Sequence, residues 1–146
     1  MGEVTTTRAV GPGRVLAVAY GFFTLAAGAR SGVQLATHFD EAPLAYLLSA
    51  AAALIYLTAT ILILRVEADP TPQRVALARR LCFVELGGVL LVGLTSVILP
   101  ASFPDATVWS LFGSGYAFVP AALPVLALLW LHRAEHPAAE SAAGPE

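Results

Sequence analysis

Arg30, Gln34 and His38 recur at four-residue steps inside an apolar stretch, so on a helix they share one face. A guanidinium, an amide and an imidazole in one row can hold an anion, with Arg30 as the anchor. Asp40, Glu41 and Asp105 fall in the connections at the same end of the chain's apolar segments. They offer a structural use for the row, in which Arg30 reaches toward the interface and pairs with a loop carboxylate. Docking of another membrane subunit is a third use. An arginine within a span costs about 2.5–3.5 kcal/mol on insertion scales, so its presence calls for one of these. Counted from Arg14, Arg30 lies about 24 Å along a helix, in the outer third of a bilayer.

Glu85 is the other ionisable group within an apolar segment. It lies about 7.5 Å past Arg80 by helical rise, near the inner edge. Arg79, Arg80 or Arg65 is its expected partner, which makes Glu85, Arg79 and Arg80 an inner charged site. The alternative is proton coupling, because a desolvated carboxyl can change its protonation behaviour. Arg30 belongs to the opposite end and is not expected to reach it.

Other chemistries find no residue set. The single cysteine, Cys82, excludes an intramolecular disulfide, a CxxC pair and a cysteine zinc site. It is expected to pack as a small apolar residue. His38 stands at one end of the spans and His132 and His136 at the other, so no facing pair could ligate a haem. Neither GxSxG, HExxH nor a P-loop occurs. Asp40 and Glu41 are adjacent and point apart, a poor acid–base pair. The expectation is a protein that is not an enzyme, with no catalytic residues, metal or cofactor.

The elements that must carry these residues follow from composition. Of 146 residues, 58 % are hydrophobic and 12 % charged, against about 25 % charged in a soluble domain. Too few charges are present to cover a water-exposed surface, whereas lipid solvates an apolar exterior. The net charge of −2 offers no basic surplus for nucleic acid. Four segments are long enough to cross the hydrocarbon, at about 15–36, 42–64, 81–99 and 108–131. The expected fold is all-α, a polytopic bundle of four transmembrane helices with short loops. Segment 1–14 is a cytoplasmic lead-in, 15–133 the membrane domain and 134–146 a disordered cytoplasmic tail.

Local signals agree with these limits. Asp69-Pro70-Thr71-Pro72 stops the second helix, and Thr71 with Pro72 can start the third early, so that it runs in from Gln73-Arg74. Pro120 and Pro124 are expected to bend the fourth helix, with Gly113 and Gly115 loosening its outer end. Trp109 and Trp130 would bracket it, about 31 Å apart along the axis, at the two interfaces. A basic start, a 15-residue apolar run and Ala27-Gly28-Ala29 also fit a cleaved signal peptide, which would leave three helices in the same orientation.

Charge orients the bundle. Arg8, Arg14, Arg65, Arg74, Arg79, Arg80 and Arg133 all flank one side, and the first and third loops hold no arginine. The positive-inside rule puts both termini and the middle loop in the cytoplasm of a multi-pass plasma-membrane protein. Packing in lipid relies on small residues. Gly28 and Gly32, in a row with Thr24 and Ala36, are expected to meet Ala45, Ser49 and Ala53 in an antiparallel hairpin; Gly87, Gly88 and Gly93 thin the third helix similarly.

Two segments at the outer end carry a resemblance. The run from Ala29 through Arg30, Ser31, Gly32, Val33, Gln34, Leu35 and Ala36 to Thr37, followed by Phe39-Asp40-Glu41-Ala42-Pro43-Leu44-Ala45-Tyr46, is one. Phe103-Pro104-Asp105-Ala106-Thr107-Val108-Trp109, followed by Gly113-Ser114-Gly115-Tyr116 and Phe118-Val119-Pro120, is the other. Together they resemble a group of uncharacterised small four-helix integral membrane proteins of actinobacteria. The resemblance implies the plasma membrane of a Gram-positive, high-GC bacterium and brings no assigned activity or functional residues.

Three functions remain open. The leading expectation is a non-enzymatic accessory or structural subunit in contact with the lipid bilayer and with a homo-oligomer or another membrane subunit. The alternatives are a small oligomeric transporter or channel, and an outer-face binding protein for a lipid-like or anionic small molecule.

Overall fold

The computed structural model describes residues 10–136. Segment 1–9 and most of the tail, 137–146, lie outside the described residues. Among the described residues the chain is all-α: α1 (Pro12–Thr37), α2 (Pro43–Ala68), α3 (Pro72–Ile98) and α4 (Val119–Glu135), with short 3-10 turns at Pro100–Ser102 and Ser110–Tyr116. Proline stands in the first turn of all four helices, where its missing N–H costs no helical bond. Thr71 caps α3, accepting from the Arg74 amide at 3.4 Å, so α3 begins nine residues before the apolar segment expected from 81.

Three helices are each long and apolar enough to cross a membrane, and the pair Ser110–Tyr116 and Val119–Glu135 reaches that standard only if taken as one broken span. Their exteriors suit lipid. Val18, Phe22 and Leu25 on α1, Leu54 on α2 and Phe83, Leu91 and Leu94 on α3 all stand more than half exposed.

The start of α1 meets the ends of α2 and α4: Gly13 lies against both Glu67 and Trp130. Arg79 near the start of α3 pairs with Glu135 at the end of α4. Arg14, Arg65, Arg74, Arg79, Arg80 and Arg133 therefore share one end of the bundle, and Arg30 and Asp105 meet near the other.

The long antiparallel contact is between α1 and α2, but the expected ridge pairing is only partly formed. Ala45, Ser49 and Ala53 are buried on α2. On α1 the buried row is Ala17, Tyr20, Phe23, Ala27 and Ser31. Gly28 sits at its edge, where a Cβ would stand 3.8 Å from that of Ala53, while Gly32 and Ala36 point outward. Two tyrosine- and phenylalanine-sized residues fill the seam, so α1 is keyed by aromatic packing and not by glycine contact.

The continuous helix expected over 108–131 does not form. Leu111, Phe112, Gly113, Ala117 and Phe118 all have positive φ, and the axis turns by 97° between Ser110–Tyr116 and α4. The break lies ahead of the prolines: Pro120 is in the first turn of α4 and Pro124 is accommodated inside it. Trp109 consequently leaves the interface and is 4 % exposed, inside the bundle. The reason is packing. A Cβ on Gly88 would come 2.7 Å from the Trp109 ring, and one on Gly93 2.5 Å from the Phe112 ring. These two glycines of α3 open the space into which the folded-back segment lays its aromatics.

Candidate functional site

At the end of the bundle away from the arginine cluster, the helical register of α1 sends Arg30 and Gln34 toward the loop that follows α3. Arg30 donates to Asp105 Oδ1 at 3.4 Å, to the Ala106 carbonyl at 3.3 Å and to the Tyr116 hydroxyl at 3.4 Å. Gln34 donates to Asp105 Oδ2 at 2.9 Å. One carboxylate thus accepts from two residues of the stripe, and a third bond, from the Ala106 amide to Oδ1 at 2.8 Å, fixes its position. The Gln34 Oε1 atom is buried and has no partner among the described residues. His38 lies at the helix end and bonds to Thr37; Asp40 and Glu41 are exposed and join neither Arg30 nor Gln34. Of the six outer residues expected to gather, Arg30, Gln34 and Asp105 come together. Tyr116 joins them without having been anticipated.

At the bundle's centre, Glu85 is fully buried. Its expected partners are elsewhere: Arg79 pairs with Glu135 and Arg80 is exposed. The cause is the face of α3 involved. Glu85 shares the buried row with Ala78, Cys82, Val89 and Val92, and Arg80 is on the outward side. Glu85 Oε2 accepts from the Tyr20 hydroxyl at 2.7 Å, and Oε1 has no partner among the described residues. Tyr20 is 0 % exposed and its ring lies 6.0 Å from that of Tyr56. The Tyr56 hydroxyl accepts from the Trp109 indole N–H at 2.8 Å. Each of the three helices α1, α2 and α3, and the segment before α4, contributes one polar group to this buried core.

Thr107 and Ser110 build the turn that delivers Trp109. The Thr107 amide donates to Ser110 Oγ at 2.9 Å and the Trp109 amide to Thr107 Oγ1 at 3.0 Å. Ser96 Oγ then accepts from the Leu111 amide at 2.8 Å while donating to the Gly93 carbonyl, which moors the turn on α3. The signal for these partners was present in the chain: tyrosine hydroxyls within apolar spans need hydrogen bonds when buried. Which groups would meet them was not.

At the arginine-rich end, His132, Glu135 and His136 gather on the last turn of α4, with one ligand atom from each within 4.8 Å of the others. Glu135 is already engaged by Arg79. The aromatic row Tyr116, Phe23 and Tyr56 links the Arg30–Asp105 cluster to the central polar groups by edge-on contacts at 5.7 and 5.9 Å.

No family model, curated protein or solved structure matches the chain.

Proposed function

We propose that the chain crosses a plasma membrane four times, with both ends cytoplasmic, and serves as a non-enzymatic accessory subunit that packs against another membrane bundle or a second copy. The observation that carries this reading is Gly32. It is exposed, no atom of the described residues lies within 4 Å of a Cβ built on it, and Ala29 and Ala36 are exposed on the same face. Small residues on a lipid-facing surface let a second backbone approach closely, which is how helices associate where lipid removes the hydrophobic drive. The ionisable side chains within the spans support it too, since Arg30 and Glu85 both bond within the chain.

The test is co-purification in mild detergent. The native chain is expected to carry a fixed partner or a second copy, and Gly32→Leu to lose it while keeping its melting temperature. A clean monomer from every membrane preparation would end the proposal.

A second reading, a small oligomeric transporter, is favoured by Glu85 Oε1, a buried carboxyl oxygen without a partner. Intramembrane carboxyls commonly mark ion or proton routes. Proteoliposome flux that survives Glu85→Gln unchanged would remove it. The outer-face binding reading has least support, because Arg30 divides its donors among Asp105, Ala106 and Tyr116.

A further inference from the structure

Where α1 begins and α4 ends, the described residues touch at Gly13 and Trp130 but leave the bundle open beside that contact. The two helices meet much less than α1 and α2 do, and between them lies a crevice of about 520 Å³. Leu16, Leu126, Leu129 and Trp130 line it, together with Pro12 at the start of α1 and Arg133 near the end of α4. Trp130 packs on the start of α1, its Cζ2 placed 2.5 Å from where a Cβ on Gly13 would be. Leu126 and Leu129 are more than half exposed, so the crevice opens sideways as well as toward the end of the bundle.

We infer that this crevice binds one anionic phospholipid of the leaflet on the arginine-rich side, with an acyl chain along Leu16, Leu126 and Leu129 and the phosphate on Arg133. The inference rests on the membrane reading above. Charge and depth select the occupant. The volume is within the 300–1,000 Å³ of ordinary ligand sites, and its lining is apolar apart from one cation. Arg133 enters none of the three ion pairs among the described residues, whereas Arg30, Arg74 and Arg79 each have a carboxylate. Basic pockets between membrane helices on the positively charged side recognise anionic headgroups. Tryptophan suits that depth, with an apolar body and a polar edge. The first turn of α1 is not free to take the phosphate itself, since Glu67 already lies against Gly11 and Gly13. That leaves the headgroup to Arg133. The crevice is also at the opposite end of α1 from Gly32, so lipid and partner helix do not compete.

Native mass spectrometry of the full chain in mild detergent tests this, with phosphatidylglycerol or phosphatidylcholine of identical chains as the probe. One phosphatidylglycerol is expected to be retained in preference to phosphatidylcholine. Arg133→Gln is expected to lower its retention about fivefold, the worth of one arginine at a membrane surface. Arg74→Gln, at the same end but paired with Asp69, is expected to leave it unchanged. Leu126→Trp, which fills the crevice, should reduce both lipids. Equal loss in Arg74→Gln and Arg133→Gln would mean general attraction to the surface and overturn the site. So would equal retention of the two lipids by the native chain, or stabilisation by glycerophosphate alone. A dimer that carries no lipid and that Leu126→Trp splits would assign the crevice to a second copy instead. A chain monodisperse in plain buffer would instead refute the membrane reading itself, a result distinct from all of these.

Discussion

The Tyr20 hydroxyl meets Glu85 Oε2 at 2.7 Å, joining α1 to α3 across 65 residues of chain in a region with no water-exposed surface. A buried carboxyl is costly unless it is paired or hydrogen-bonded. Here one bond is made and one oxygen is left over, so the pair is only half compensated.

Removing either partner should therefore be expensive, and removing both should not. Tyr20→Phe leaves the whole carboxyl without a partner and is expected to cost about 1–3 kcal/mol. Glu85→Leu strands the hydroxyl at a similar cost but relieves the unpaired oxygen. The double variant should be more stable than the sum of the single effects. Chemical denaturation in detergent micelles reads the coupling, and strictly additive effects would mean that the bond contributes nothing.

Ser96 holds the folded-back segment. Ser96→Ala deprives the Leu111 amide of its acceptor and should cost about 1–2 kcal/mol. The local signature is faster hydrogen exchange over 107–113 with α1 and α2 protected as before. Uniform loss of protection would instead show that the segment and the bundle unfold together.

Glycines on α3 divide by what faces them. Gly88→Ala and Gly93→Ala drive a methyl into the rings of Trp109 and Phe112, and overpacking of this kind costs about 1–3 kcal/mol. Gly87 faces open space, so Gly87→Ala should be neutral or stabilise by about 0.4–1 kcal/mol. Thermal unfolding followed by tryptophan fluorescence separates the two cases; equal effects at Gly87 and Gly88 would contradict the placement of Trp109.

Ala117, at φ 54° and ψ 33°, pays for a left-handed conformation that glycine adopts freely. Ala117→Gly is expected to raise stability by about 1 kcal/mol. A drop in melting temperature would mean that the Ala117 methyl is worth more than the strain it brings.

The Arg30–Asp105 pair is loose, at 3.4 Å, with both side chains more than a third exposed. Its direct Coulomb contribution should be under about 1 kcal/mol. Asp105→Asn keeps an acceptor for Gln34 and is expected to change little, whereas Asp105→Leu leaves Gln34 without its acceptor and Arg30 with only Ala106 and Tyr116, and should loosen this end of the bundle. Labelling of a cysteine placed at the half-buried Ser114, in a chain with Cys82→Ala, would report that loosening as faster modification.

By itself the sequence determined that this chain consists of apolar helices, where three of them lie and how charge is distributed between their ends. Those properties are local: hydrocarbon length, proline at helix starts, Thr71 as a cap and arginine at the flanks are each read within a few residues. It also named Arg30, Gln34 and Asp105, but only among six residues, without separating them from His38, Asp40 and Glu41, which stay apart from that cluster. Only the tertiary structure decided the rest. Glu85 turned to Tyr20 and not to the neighbouring arginines because α3's register buries Glu85 and faces Arg80 outward. Trp109 went inward because Gly88 and Gly93, on another helix, left room for aromatic rings that outweigh a continuous fourth helix. Such choices depend on which helix faces meet, and residues 19 to 65 positions apart settle them by volume and hydrogen bonding, with no trace in the periodicity of either segment alone.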